Sequence, residues 1–153
     1  MLLKRIFRCI TVFSAGIGAV AQGAEIVSAD VEKGLHQAVA FFREQVSIQG
    51  GYLWRYTSDL ARREGEGKAS ETMAWVQPPG TPSVGMAFLR LYKQTGDRYY
   101  LEAAVESAHA LVKGQLQSGG WDYRIEFDHG RRKEYAYRSD GRTDGFNTTT
   151  LDD

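Results

Sequence analysis

Two short segments of this chain have the residues to grip an acidic sugar polymer. They are Gly50-Gly51-Tyr52-Leu53-Trp54-Arg55 and Gly119-Gly120-Trp121-Asp122-Tyr123-Arg124. Each sets aromatic rings beside an arginine. An indole offers a flat apolar face to a sugar ring, and a guanidinium makes two-point hydrogen bonds to a carboxylate. Trp54, Arg55, Trp121 and Arg124 are therefore candidate substrate-binding residues. Further on, Asp152 and Asp153 follow the threonines Thr148 to Thr150. Adjacent carboxylates in an irregular segment supply hard oxygen ligands for calcium, so this pair is a candidate metal site. The competing reading is an exposed chain end.

Other chemistries have less support. His36, His109 and His129 lie far apart and make no zinc pattern. No Gly-x-Ser-x-Gly elbow occurs, and the only cysteine is Cys9. Gly67-Lys68 is followed by Ala69, and position 62 is Arg, so this is not a phosphate-binding loop. The run Arg62 to Lys68 is charged and glycine-rich. It reads as a mobile solvated loop, or else as a substrate loop.

The elements that position these residues are mostly helices. Asp30 is expected to cap a helix over Val31 to Ser47, with Leu35, Val39, Phe42 and Val46 as its apolar stripe and Ala38 and Phe41 widening it. Gly50-Gly51 should end it. Thr81 is expected to cap a second helix with Pro82 at its first position, buried along Val84, Ala87, Phe88, Leu91 and Tyr92. Gly96 should stop it and Asp97 should cap a third. That third helix buries Tyr100, Leu101, Ala104, Val105, Ala108, Leu111, Val112 and Leu116, until Gly119-Gly120 ends it. So short a break implies an antiparallel helical hairpin. Trp121 to Asp128 alternates as a strand, with Tyr135 to Arg138 as its returning partner in a β-hairpin after Gly120. The two Gly-Gly turns are about 70 residues apart, which suits a repeat of long helix pairs. Such pairs, wrapped into a ring, would set their loops on one face.

The beginning of the chain reads as a leader. Lys4, Arg5 and Arg8 precede an apolar run from Ile10 to Ala21, and Ala19-Val20-Ala21 fits a cleavage site. Residues 1–24 are thus expected to be a signal peptide. Residues 25–153 would then be secreted or periplasmic, with no membrane attachment. Removing three of the 19 basic residues leaves 16 against 19 acidic ones, a net charge of −3. That balance argues against a nucleic-acid partner. The sequence runs out where a loop is read as delivering residues to a site, so it is expected to be the amino-terminal part of a larger domain. Uncovered apolar side chains should then appear between Pro82 and Thr95, or after Asp97.

Four segments together resemble the pectate lyase family 10 (pectic acid lyase) proteins. They are Gly50-Gly51-Tyr52-Leu53-Trp54, Trp75-Val76-Gln77-Pro78-Pro79-Gly80-Thr81-Pro82, Gly119-Gly120-Trp121-Asp122-Tyr123 and Asn147-Thr148-Thr149-Thr150-Leu151-Asp152-Asp153. The likeness covers about residues 30 to 153. It implies a mainly α fold, a partial α/α toroid of antiparallel helical hairpins. It implies cleavage of polygalacturonate by calcium-assisted β-elimination. Thr150-Leu151-Asp152-Asp153 resembles the family's Thr-Ile-Asp-Asn, which makes Asp152 the calcium and substrate aspartate and sets Asp153 where the family often has Asn. Asp122-Tyr123 departs from the family's Pro-Gln. The family's base is an arginine late in the domain, so it is expected beyond Asp153, and this chain alone is expected to be inactive. The alternatives are a glycoside hydrolase on a related toroid, with acids drawn from Glu64, Glu66 and Asp122, or a non-catalytic carbohydrate-binding helical-repeat protein.

Overall fold

A computed structural model describes the backbone of residues 17–150 and the side chains of residues 29–150. The expected leader lies outside the described residues, apart from the backbone of 17–24. Asp152 and Asp153 also lie outside them. Contacts divide the chain after Ala38. The described residues up to Ala38 form the first part of helix α1 (Ile17–Phe41). This helix does not begin at Asp30, which sits inside it. The stretch from Ala19 to Glu25 is rich in alanine, the best helix former, and nothing there forces a break. No helix among the described residues is long and apolar enough to cross a membrane.

From Val39 onward the chain is mainly helical with two small antiparallel sheets. After α1 comes a π-helical turn, Phe42–Val46, closed by Ser47 N–H donating to the Phe42 carbonyl at 2.9 Å. Then follow β1 (Arg55–Tyr56), β2 (Arg63–Glu64) and β3 (Met73–Trp75). Helices α2 (Thr81–Thr95) and α3 (Arg98–Gly114) come next, followed by β4 (Arg124–Glu126). Arg55 pairs with Glu64 across β1 and β2. Met73, Ala74 and Trp75 pair with Glu126, Ile125 and Arg124 across β3 and β4.

The sheet pairing corrects the expected hairpin. β4 forms where the alternation was read, but its partner is β3, some fifty residues earlier in the chain (~50). Tyr135 to Arg138 does not return beside it. Tyr137 instead bridges to Leu116, and Tyr135 to Phe146. The reason lies on the outward side of β4. Glu126, the polar neighbour of Ile125 in the alternating run, is only 1% exposed. Its carboxylate accepts from the Thr72 hydroxyl at 2.6 Å, the Phe127 and Asp128 N–H groups, and Arg131 Nε at 2.9 Å. A buried carboxylate this fully bonded holds β4 against the β3 segment.

α1 with its π turn ends at Ser47, as expected, and α3 ends at Gln115, but both caps are extended and stand several residues before the Gly-Gly pairs that were expected to close the helices. Ile48 and Leu116 must leave their helices to reach the core, where Leu116 is buried and Ile48 half-buried. Thr81 does not cap α2, whose cap is Gly80. Its hydroxyl accepts from Tyr52 N–H and donates to the Tyr52 carbonyl, tying α2 to the first Gly-Gly turn. Gly96 takes the left-handed cap at φ 74°, and the Asp97 carboxylate accepts from Tyr99 N–H at 2.9 Å, as the sequence indicated.

The core gathers Ala74, Val76, Ala110, Leu116, Ile125, Phe127 and Tyr137 between the β3–β4 sheet and α3. Full burial of each large member stabilises by roughly 1.5–3 kcal/mol. α3 buries the stripe read from the sequence only in part: Tyr100 and Leu116 are buried, Leu101, Ala104 and Leu111 half-buried, and Val105, Ala108 and Val112 exposed. Its buried residues are Tyr100, Ala103, Ser107, Ala110 and Gly114. Small residues face the neighbours because those neighbours come close. A Cβ on Gly114 would meet Ile125 at 2.3 Å, and one on Gly85 of α2 would meet Ser107 at 2.9 Å. Val105 and Val112, read from the sequence as buried, are 43% and 61% exposed. Ala87 on α2 is exposed as well, contrary to expectation.

Buried Arg132 ties the chain after β4 to this core. It donates to the carbonyls of Glu126 and Lys113, pairs with Asp140 at 2.8 Å, and lies 4.3 Å over the Tyr137 ring. Arg132 holds the Asp140 carboxyl below the usual carboxylate range.

Gly50 has φ +86°, and an added Cβ would stand 2.2 Å from the Glu106 carbonyl oxygen of α3. Gly119 has φ +95° but open space around it. Gly50→Ala is therefore expected to destabilise by about 3 kcal/mol or more, adding overlap with backbone to the left-handed penalty. Gly119→Ala should cost only about 1–2 kcal/mol. Urea denaturation of both variants measures the difference. A second expectation concerns alkali. Burial raises the Tyr52 phenol to about 12, from an unfolded value near ~10. Its contribution is fully present below pH ~10 and is lost as pH rises through about 12. The Tyr52→Phe variant should lose about 2 kcal/mol less than the parent over that interval, read from denaturation midpoints at stepped pH.

Candidate functional site

The two Gly-Gly segments have the same construction. In each, a helix ends on an extended cap, Ser47 or Gln115. A core aliphatic follows, Ile48 or Leu116, and exchanges backbone hydrogen bonds across the turn. A positive-φ glycine and a second glycine come next. The chain then passes a ring packed inward, buried Tyr52 or half-buried Trp121, and an arginine opens a strand: Arg55 in β1, Arg124 in β4. The second turn carries one more residue, Ser118, before its glycines.

β3 runs between these segments. Trp75 N–H donates to the Tyr52 carbonyl at 2.9 Å on one side. On the other side Trp75 faces Arg124, and Val76 N–H donates to the Tyr123 carbonyl at 2.8 Å. Both segments thus converge on Trp75. Trp54 packs its ring edge-on to Trp75, centroids 6.1 Å apart, and its indole N–H donates to the Gln77 carbonyl at 2.9 Å.

Around the first segment the surface is concave and basic. Arg55, Tyr56, Thr57, Arg62 and Glu64 line a hollow of about 270 Å³. An adjoining hollow of about 490 Å³ shares Arg62 and Glu64 and adds Arg63, Lys68 and Glu71. Arg55, its side chain 69% exposed, pairs with Glu64 at 3.1 Å. Arg63 donates to the carbonyls of Leu60 and Glu71. The side chains of Arg62 and Lys68 have no hydrogen bond or ion pair among the described residues. Read as a mobile loop, Arg62 to Lys68 instead contains β2. Gly65 is buried against Trp75: a Cβ there would meet the indole at 2.1 Å.

Around the second segment the polar groups are spoken for. Trp121 is half-buried against the core, and its indole N–H donates to the Leu111 carbonyl at 2.8 Å. Asp122 is 5% exposed; it accepts from the Thr150 hydroxyl at 2.5 Å and faces Arg124 at 3.7 Å. Thr150 N–H also donates to the Trp121 carbonyl. Thr149 lies against Gly120 and bonds Ser118, while Asn147 accepts from Ser118 N–H. Tyr135, near Arg124 and Asp122, has its phenol raised by burial, with Arg124 opposing.

Of the candidate binding residues, Arg55 and Arg124 stand exposed at the strand starts, and Trp54 sits half-buried beside the basic hollows. Trp121 is part of the interior packing. Asp152 lies outside the described residues, but the threonine run just before it is docked on the second Gly-Gly turn. The described residues contain no group of three or more His, Cys, Asp or Glu able to hold a metal ion. Asp122 in particular is occupied by Thr150 and Arg124. Sequence reasoning did not single out Arg62 and Lys68 individually, although the charged, glycine-containing run that they bound was the signal for them. It also did not anticipate the Thr150–Asp122 bond, since nothing local links residues so far apart.

Thr150→Val would leave a buried Asp122 oxygen without its partner and should destabilise by about 1–3 kcal/mol. Thr143→Val, at an exposed position, should change stability by less than about 0.5 kcal/mol in the same denaturation experiment. Compared with known families, characterised proteins and solved structures, the chain matches none.

Proposed function

We propose that this chain carries the substrate-gripping loops of a polysaccharide lyase that cleaves polygalacturonate or another uronate polymer, on an α/α toroid of helical hairpins. One observation carries the reading: Arg62 and Lys68, whose side chains have no partner among the described residues, line with exposed Arg55 two adjoining hollows near the Trp54–Trp75 pair. Free guanidinium and ammonium groups seek carboxylates, and rings seek sugar faces.

The chemistry fits cations better than acids. In β-elimination a base takes the C5 proton beside the uronate carboxylate. The electron pair forms the C4–C5 double bond, and the C4–oxygen bond breaks to release the leaving sugar. Negative charge grows on the carboxylate along the way, and fixed positive groups stabilise it. Arg55, Arg62 and Arg124 have the right charge for that role. In this reading Asp152 and Asp153 would hold calcium, whose charge would serve the same end. The base is expected to be an arginine outside these residues. The hydrolase alternative needs two free acids facing a bond. Glu64 is paired with Arg55, and Asp122 is buried against Thr150 and Arg124, which leaves only Glu66 of the three candidate acids.

The test is incubation of the full-length protein with polygalacturonate, following the ultraviolet absorbance of the unsaturated product with and without a chelator, alongside a binding titration. Lyase action gives absorbance that chelation abolishes. Reducing ends without absorbance would mean a hydrolase, and binding without either product a non-catalytic binder. The Arg62→Ala/Lys68→Ala double variant should bind trigalacturonate about tenfold more weakly than the parent. Parent binding should weaken as salt rises. No binding to any uronate oligomer would defeat the reading.

A further inference from the structure

Trp75 is 5% exposed, and its indole Nε1 has no hydrogen-bond partner among the described residues. The side-chain oxygen of Gln77 is buried and also without a partner. Native proteins rarely strand buried polar atoms, so each such atom calls for an explanation. Here the two lie in one neighbourhood. Trp54 touches both residues: its indole N–H holds the Gln77 carbonyl, and its ring meets Trp75 edge-on. By contrast, the Trp121 indole N–H is satisfied by the Leu111 carbonyl.

What covers Trp75 is the hairpin between Arg55 and Lys68, whose Gly65 rests on the indole. This hairpin bonds largely to itself. Arg55 and Tyr56 pair with Glu64 and Arg63, Thr57 with Arg62, and Gly65 with Gly67. Its hydrogen bonds stay within residues 53–71. A cover held this locally, over a donor left without a partner, favours opening: lifting the hairpin restores a partner to the indole.

We propose that the Arg55–Lys68 hairpin is a lid over a sugar-hydroxyl site formed by Trp75 Nε1 and the Gln77 amide. The chemistry selects the ligand group. One stranded donor and one stranded acceptor call for a group that both accepts and donates. A hydroxyl does so, and an ionised carboxylate cannot. The cations on the lid, Arg55, Arg62 and Lys68, are left to take carboxylates. The site deepens the polyuronate reading and rests on it: one sugar unit is read at both its hydroxyl and its acid.

Indole hydrogen exchange in the whole chain, labelled with ¹⁵N-tryptophan, tests the lid directly. The Trp75 indole proton should exchange at least tenfold faster than that of Trp121. Saturating trigalacturonate should slow it at least tenfold. Trp75 protection as strong as that of Trp121 in the free protein would overturn the lid. The Gln77→Leu variant tests the ligand group. It should weaken binding of both trigalacturonate and neutral galactotriose about tenfold, whereas Arg62→Ala should affect the acidic oligomer alone. Unchanged affinities in Gln77→Leu would overturn the hydroxyl site while leaving polyuronate binding intact. If trigalacturonate does not bind at all, the polyuronate reading fails. Galactotriose then decides the site: slowed Trp75 exchange supports it, and unchanged exchange overturns it.

Discussion

Everything from Val39 onward is organised by the backbone pairing of β3 on both of its edges. One edge takes the Tyr52 carbonyl, the other takes β4. Three residues of strand thereby fasten two loops that are far apart in the chain. The pairing is costly in chain entropy, because both contacts close long loops. It persists because Ala74, Val76, Ile125 and Phe127 are buried with it, and because Glu126 is bonded on its far face. Without β3, the two arginine-bearing loops would have no common frame.

The sequence revealed local structure well and long-range structure poorly. Gly96 and Asp97 announced the α2–α3 break because a left-handed glycine and an aspartate cap act within a few residues. The strand at Arg124–Glu126 showed in its alternation, yet its partner did not, since pairing depends on which surface is free to cover it. Asp30 had the chemistry of a cap and was overridden by a helix-forming segment before it. α3 misled in a more instructive way. Its bulky residues made the stronger pattern, but after Tyr100 the buried residues of the helix are alanine, serine and glycine. Hydrophobic periodicity weighs size, whereas close packing selects for smallness.

The candidate site shows the same division. Arg55 and Arg124 were legible because the glycines ahead of them repeat. Trp54 and Trp121 looked equivalent on the page, but one lies beside a basic hollow and the other beside Leu111 in the interior. Their offsets from the paired glycines differ by two residues, enough to separate a rim position from a packed one. The cations that matter most for the proposed grip, Arg62 and Lys68, have no periodicity to betray them. Their significance comes from having no side-chain partner among the described residues.

The close approach of α3 to its neighbours has a consequence for how this protein can vary. Alanine, serine and glycine lose little side-chain freedom on burial, so the contact forms with a small ordering penalty. It also leaves no slack. Where Gly85 meets Ser107 and Gly114 meets Ile125, even one extra methyl has nowhere to go. Drift along this seam is therefore one-directional. The residues there can be exchanged among the smallest types, while the loops at the helix ends remain free to explore new side chains and new ligands.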